Sequence, residues 1–165
     1  MDADLSFSKP IDSFVPEGTT FTSPICDDPK NGFFQAFLGA TPKHPILRIA
    51  LDKVIWNVRN KFNGFLYDYT GPRLLLKAYN IFRRKSEYFE LTTGTFESQF
   101  GSLFIPKECC WIVKNTCFVA SDCSGNQEIL FYSRYQEYDN EKTKTGYWVD
   151  LFHQGIIYDE KCVPK

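Results

Sequence analysis

The chain has 165 residues, a formal net charge of −1, 43% hydrophobic and 24% charged residues. That length suits one domain with its own core, and so even a balance of charge excludes the basic field that draws in nucleic acid. No apolar run is long enough to cross a bilayer and no leader peptide is visible, so the expectation is a protein without a transmembrane segment, soluble as written, with the cytoplasm favoured.

The first element is a strand end over residues 2–7. Side chains alternate along a strand, so Asp2 and Asp4 project to one face. Two hard oxygen donors on one face can hold a Mg²⁺ or Mn²⁺ ion together with phosphate oxygens. Pro10 lacks the donor needed to continue a ladder, and residues 13–32, with three prolines and two glycines, read as a long loop holding a short strand near Phe21 to Ile25. Residues 33–40 are apolar with mixed period and are expected to form a buried strand. Pro45 suits the first turn of a helix. Leu47, Leu51, Val54, Val58 and Phe62 then supply an apolar stripe at helical spacing, closed by Asn63-Gly64 as a C-terminal cap. His44 is read as shaping the start of that helix.

A second helix opens at Thr70-Gly71-Pro72, with Thr70 as the expected cap and Leu74, Leu75, Ala78, Tyr79 and Phe82 as the buried face. Arg83-Arg84-Lys85 suits a solvated helix end. The pattern then becomes strand-like near 88–92, 102–105, 110–113, 117–120 and 129–132. Residues 121–126 suit a hairpin turn. The whole reads as a single α/β domain over 1–165, its core part at 1–85 and a β-rich part at 86–165. The 17% aromatic content supplies core area, and a few rings can also stack on a sugar or a base. Six cysteines without a C-x-x-C pair, and only two histidines, argue against structural zinc and favour free, mostly buried thiols.

Four stretches in order resemble one family. They are Asp2-Ala3-Asp4 followed by Lys9-Pro10-Ile11; Phe34-Gln35-Ala36-Phe37 followed by Pro42-Lys43-His44-Pro45; Asp68-Tyr69-Thr70-Gly71-Pro72; and Tyr147-Trp148-Val149-Asp150-Leu151-Phe152. Together they are similar to the glycosyltransferases with an Asp-x-Asp sugar-nucleotide motif that include fungal α-1,6-mannosyltransferases, inositol-phosphoceramide mannosyltransferases and capsular polysaccharide transferases.

The resemblance implies a nucleotide-diphospho-sugar transferase-like (Rossmann-like) fold with a mostly parallel sheet. It also implies retaining transfer of a hexose from a nucleotide-sugar donor to a glycan or glycolipid acceptor, with Mn²⁺ or Mg²⁺ at Asp2 and Asp4. Gln35, Thr70 and Tyr147 become the candidate substrate-binding residues, and no catalytic nucleophile is evident, although Asp68 can approach the sugar. The family carries about half of its sheet before the motif at which this sequence begins. The expectations that follow are a fragment, a second polypeptide supplying the missing N-terminal half, or a non-catalytic remnant serving as a binding domain. Some longer relatives belong to the Golgi. The family's C-terminal His stands here as Tyr147, a poor Mg²⁺ ligand. A further expectation is an interaction module near residues 100–135.

Overall fold

The computed structural model describes residues 5–85, 91–111, 116–120 and 129–133, so Asp2, Asp4 and Tyr147 lie outside the described residues. Eight strands are described: β1 Leu5–Phe7, β2 Thr19–Thr22, β3 Gly39–Ala40, β4 Gly94–Ser98, β5 Gly101–Ile105, β6 Lys107–Trp111, β7 Thr116–Ala120 and β8 Ile129–Ser133. Three α-helices, α1 Pro45–Arg59, α2 Leu66–Tyr69 and α3 Pro72–Phe82, fall between β3 and β4. The fold is mixed α/β, with two four-stranded sheets ordered β1-β8-β7-β6 and β3-β2-β5-β4. No described helix is long and apolar enough to cross a membrane.

The mostly parallel sheet expected from the resemblance is not what the described strands form. Only β2 and β5 pair in parallel; every other strand pair is antiparallel. The reason lies in the connections. Parallel neighbours need a long crossover, and β2 and β5 are separated by all three helices. By contrast, β4 returns into β5 through a tight hairpin that pairs Ser98 with Gly101.

Strand β5 explains how one chain supports two cores. Its residues are buried on both faces, and alternate side chains go to opposite sides. Leu103 and Ile105 join Phe21, Ile25, Phe33, Ile46, Leu75 and Ala78 in the core under α1 and α3. Phe104, between them, joins Phe37, Val119, Leu130 and Phe131 against the other sheet. At the buried Pro106 the chain passes from β5 into β6. Proline has no N–H to extend the ladder, while its carbonyl accepts from Ile25 N at 2.8 Å and Ile25 O accepts from Glu108 N at 2.8 Å. The extension of β2 thus follows the strand from one sheet into the other.

Two local expectations change. Residues 33–40 are broken by a turn at 35–37, with Phe33 in an isolated bridge to Ile25 and only Gly39–Ala40 in a strand. Phe34 and Phe37 sit in the same core while Phe33 enters the other, and Phe37 N donates to Phe34 O; a two-residue period cannot satisfy both placements. Helix α1 also begins where expected but is rotated. Its buried line runs through Ile46 and Asn57, with Leu47, Ile49 and Ala50 packed against the core; of the expected stripe Leu47 thus turns inward, whereas Leu51 and Val58 remain 54% and 50% exposed. The helix ends at Arg59, four residues before Asn63-Gly64, because Asn60 caps it: its backbone N–H and Nδ2 both donate to Trp56 O. The expected strands near 102–105, 117–120 and 129–132 correspond to β5, β7 and β8, and the one near 110–113 overlaps β6 only at 110–111, its remainder lying outside the described residues. The expected strand near 88–92 and turn at 121–126 fall largely or wholly outside the described residues.

Gly32 holds the segment before this turn against α3. Its φ is +89°, and a Cβ there would lie 2.4 Å from the Pro72 carbonyl oxygen. Left-handed strain and a backbone clash act together, so Gly32→Ala is expected to lower stability by roughly 2–4 kcal/mol. Urea unfolding measures the loss, and an unchanged midpoint would refute the close approach.

Candidate functional site

Residues 32–37 join two other stretches that the sequence singled out. On one side, Phe33 N donates to Pro72 O at 3.4 Å, directly at the start of α3. On the other, the Phe37 ring lies 6.0 Å from Phe7 of β1 and 5.1 Å from Phe131 of β8. Phe14 adds a fourth ring, 6.2 Å from both Phe7 and Phe37. Such edge and tilted contacts add to plain area burial. Gln35 is half-buried in the turn between Phe34 and Phe37, so its backbone is fixed from both flanks. The strand that Phe37 holds, β1, begins one residue after Asp4.

Thr70 takes a different place from the one expected. It is exposed and ends α2; the N-cap of α3 is Gly71, which makes no side-chain capping bond. A Cβ on Gly71 would meet the Tyr67 backbone at 3.3 Å, so α2 passes close to the opening of α3. His44 does cap α1: its Nδ1 accepts from Ile46 N at 3.2 Å. That bond leaves the proton on Nε2. The ring is buried, lying 5.5 Å from Phe21 and 5.6 Å from Phe82, and burial lowers its pKa. His44 is a neutral structural group here.

Asp68 is tied to the second helix pair. Its Oδ1 lies 3.1 Å from Lys77 Nζ and 3.4 Å from Arg73 Nε. Neither contact has hydrogen-bond geometry, for Oδ1 is buried with no hydrogen-bond partner, and the two cations hold it by charge. Asn57 of α1 completes the junction, its Nδ2 donating to Asp68 O at 3.1 Å and Tyr69 O at 2.8 Å. Beside this junction a cavity of about 550 Å³ opens between α1 and α3. The sequence reading missed Asn57. The available signal was a polar residue on the same helical line as Ile46, Ile49 and Lys53.

A second buried carboxyl lies where the two sheets meet. Glu108 is 5% exposed and its Oε2 accepts from Asp27 N at 3.1 Å. Burial, with a contribution from Asp27, raises its pKa from 4.5 to about 7. Nearby Cys26 is a free thiol, raised to about 12 by burial and by the carboxylates of Glu108 and Asp28. It is therefore protonated and a weak nucleophile at neutral pH. Cys109, expected as a free thiol, is disulfide-bonded. Among the described residues no group of three or more His, Cys, Asp or Glu side chains is arranged to hold a metal ion.

Because the folded Glu108 holds its proton more tightly than the unfolded chain does, stability falls as pH rises between about 4.5 and 7. A shift from 4.5 to about 7 corresponds to about 3 kcal/mol. Glu108→Gln is expected to remove that fall, raising Tm at pH 8 while changing little at pH 4. Equal pH profiles for the two proteins would contradict the buried, partly neutral carboxyl.

Comparison with protein-family models, characterised proteins and solved structures finds no match to this chain.

Proposed function

We propose that the chain is a glycosyltransferase-like protein that moves a hexose from a nucleotide-diphosphate sugar to a glycan or glycolipid acceptor. The supporting observation is the convergence of three stretches distant in sequence. Phe37 of the second packs on Phe7, which lies between Asp4 and Lys9 of the first, and Phe33, the residue before the second stretch, bonds to Pro72 of the third. Gln35 lies between these anchors.

In this reading Asp2 and Asp4 hold Mn²⁺ or Mg²⁺. Such an ion, when bound, neutralises charge on a leaving diphosphate. Gln35 offers both donors and acceptors to a sugar hydroxyl, and a half-buried, doubly anchored turn loses little freedom when it does so. Thr70, exposed at the opening of α3, and Tyr147 are the remaining substrate-binding candidates. The proposal rests on the mixed α/β fold and not on a Rossmann-like sheet, since only β2 and β5 pair in parallel among the described strands.

A second reading, a binding domain without transfer chemistry, is favoured by the single parallel strand pair among the described strands. The two readings part on nucleotide binding. With Mn²⁺ and UDP or GDP at a hundred times Kd, the transferase reading expects stabilisation of about 2.7 kcal/mol, a Tm rise of roughly 5–10 °C that Asp4→Ala abolishes. A rise that survives Asp4→Ala, or none with either nucleotide, refutes it.

A further inference from the structure

We infer that the cavity between α1 and α3 is a binding site for a neutral pyranose unit of a glycan, separate from the turn that carries Gln35. Its volume of about 550 Å³ lies within the range of small-molecule sites. Ile49 and the buried Leu74 give it an apolar base. Trp56, one helical turn beyond Asp52 and Lys53 on the same face of α1, stands at its rim with 58% of its surface exposed. An indole so placed presents a flat apolar face at the cavity mouth.

The polar lining selects the kind of ligand. Asp52 and Asp68 line it together with Lys53 and Lys77, so it offers both signs of charge. Asp52 is engaged by Arg48 Nε at 3.1 Å and Asp68 by Arg73 and Lys77. A phosphate would meet two carboxylates, and a metal cation two ammonium groups. A pyranose meets neither objection. Its C–H face lies flat on an indole ring, and its hydroxyls both donate to carboxylates and accept from ammonium groups, a mixed lining that a ligand of one charge cannot use. The fold supports precision here, since Asn57 clamps the α2 backbone to α1 through two bonds and α1 packs along α3.

The test is an NMR titration of the ¹⁵N-labelled full chain with the methyl pyranosides of glucose, galactose, mannose and N-acetylglucosamine, and separately with inorganic phosphate. Neither metal nor nucleotide is present. The Trp56 indole N–H signal, assigned by its loss in Trp56→Ala, is expected to shift saturably with at least one sugar and not with phosphate. Trp56→Ala, at so exposed a position, is expected to keep its Tm and to weaken that sugar's binding about tenfold, read by calorimetry. A Trp56 signal unmoved by all four sugars, a response to phosphate alone, or undiminished sugar binding by Trp56→Ala would overturn the site. The proposal does not rest on the transferase reading: sugar binding without nucleotide leaves the nucleotide-dependent stabilisation to be judged alone, and either result can fail without the other.

Discussion

The contact on which the rest depends is that of Gly32 and Phe33 with the first residue of α3. A glycine in left-handed conformation lets the chain come against the Pro72 carbonyl, where a Cβ would collide, and Phe33 N then bonds to that carbonyl. Once this point is fixed, Phe33 enters the core beneath the helices and Phe34 and Phe37 are directed to the core of the other sheet. A single turn therefore belongs to both cores. It sets the position of Gln35 relative to β1 on one side and to the α2–α3 junction on the other.

Polar groups in this molecule follow the same division. Where the helices meet, Asp68 is surrounded by cations and Asn57 satisfies two backbone carbonyls; a buried carboxylate so paired costs far less than an isolated one. Where the sheets meet, Glu108 sits beside Asp27, and burial pushes its proton affinity up to about 7. The two carboxyls answer the same problem in opposite ways, one by pairing and the other by favouring its neutral form. The α1–α3 cavity adjoins the paired one, which is why its lining combines both signs of charge with an open indole.

Much of this was legible in the residues. Pro45 and Pro72 mark helix starts that the structure keeps, and the buried face of α3 through Leu74, Leu75, Ala78 and Tyr79 follows its period. His44 as a structural cap was also legible. The turn at 33–40 was not, because a run of aromatic and small residues suits a strand until Phe34 and Phe37 are seen to share one core. The rotation of α1 was hidden because Leu51 and Val58 continue its apolar spacing yet face outward, so the true inward line had to include a polar residue, Asn57. Gly71 rather than Thr70 takes the cap where the backbone of Tyr67, four residues earlier, passes close by, a turn geometry that residue type alone did not signal. The sheet pairing, antiparallel but for β2 and β5, rests on connections whose geometry no resemblance supplies.

The proposed function requires that a divalent ion bind at the amino end, beside the turn that carries Gln35. Paramagnetic broadening by Mn²⁺ in the ¹⁵N-labelled protein tests it most directly. The account predicts that the Gln35 side-chain amide broadens early in the titration, that Phe82 at the far end of α3 does not, and that Asp4→Ala removes the difference. Broadening of Phe82 and Gln35 alike, or a Gln35 signal indifferent to Mn²⁺, would contradict it.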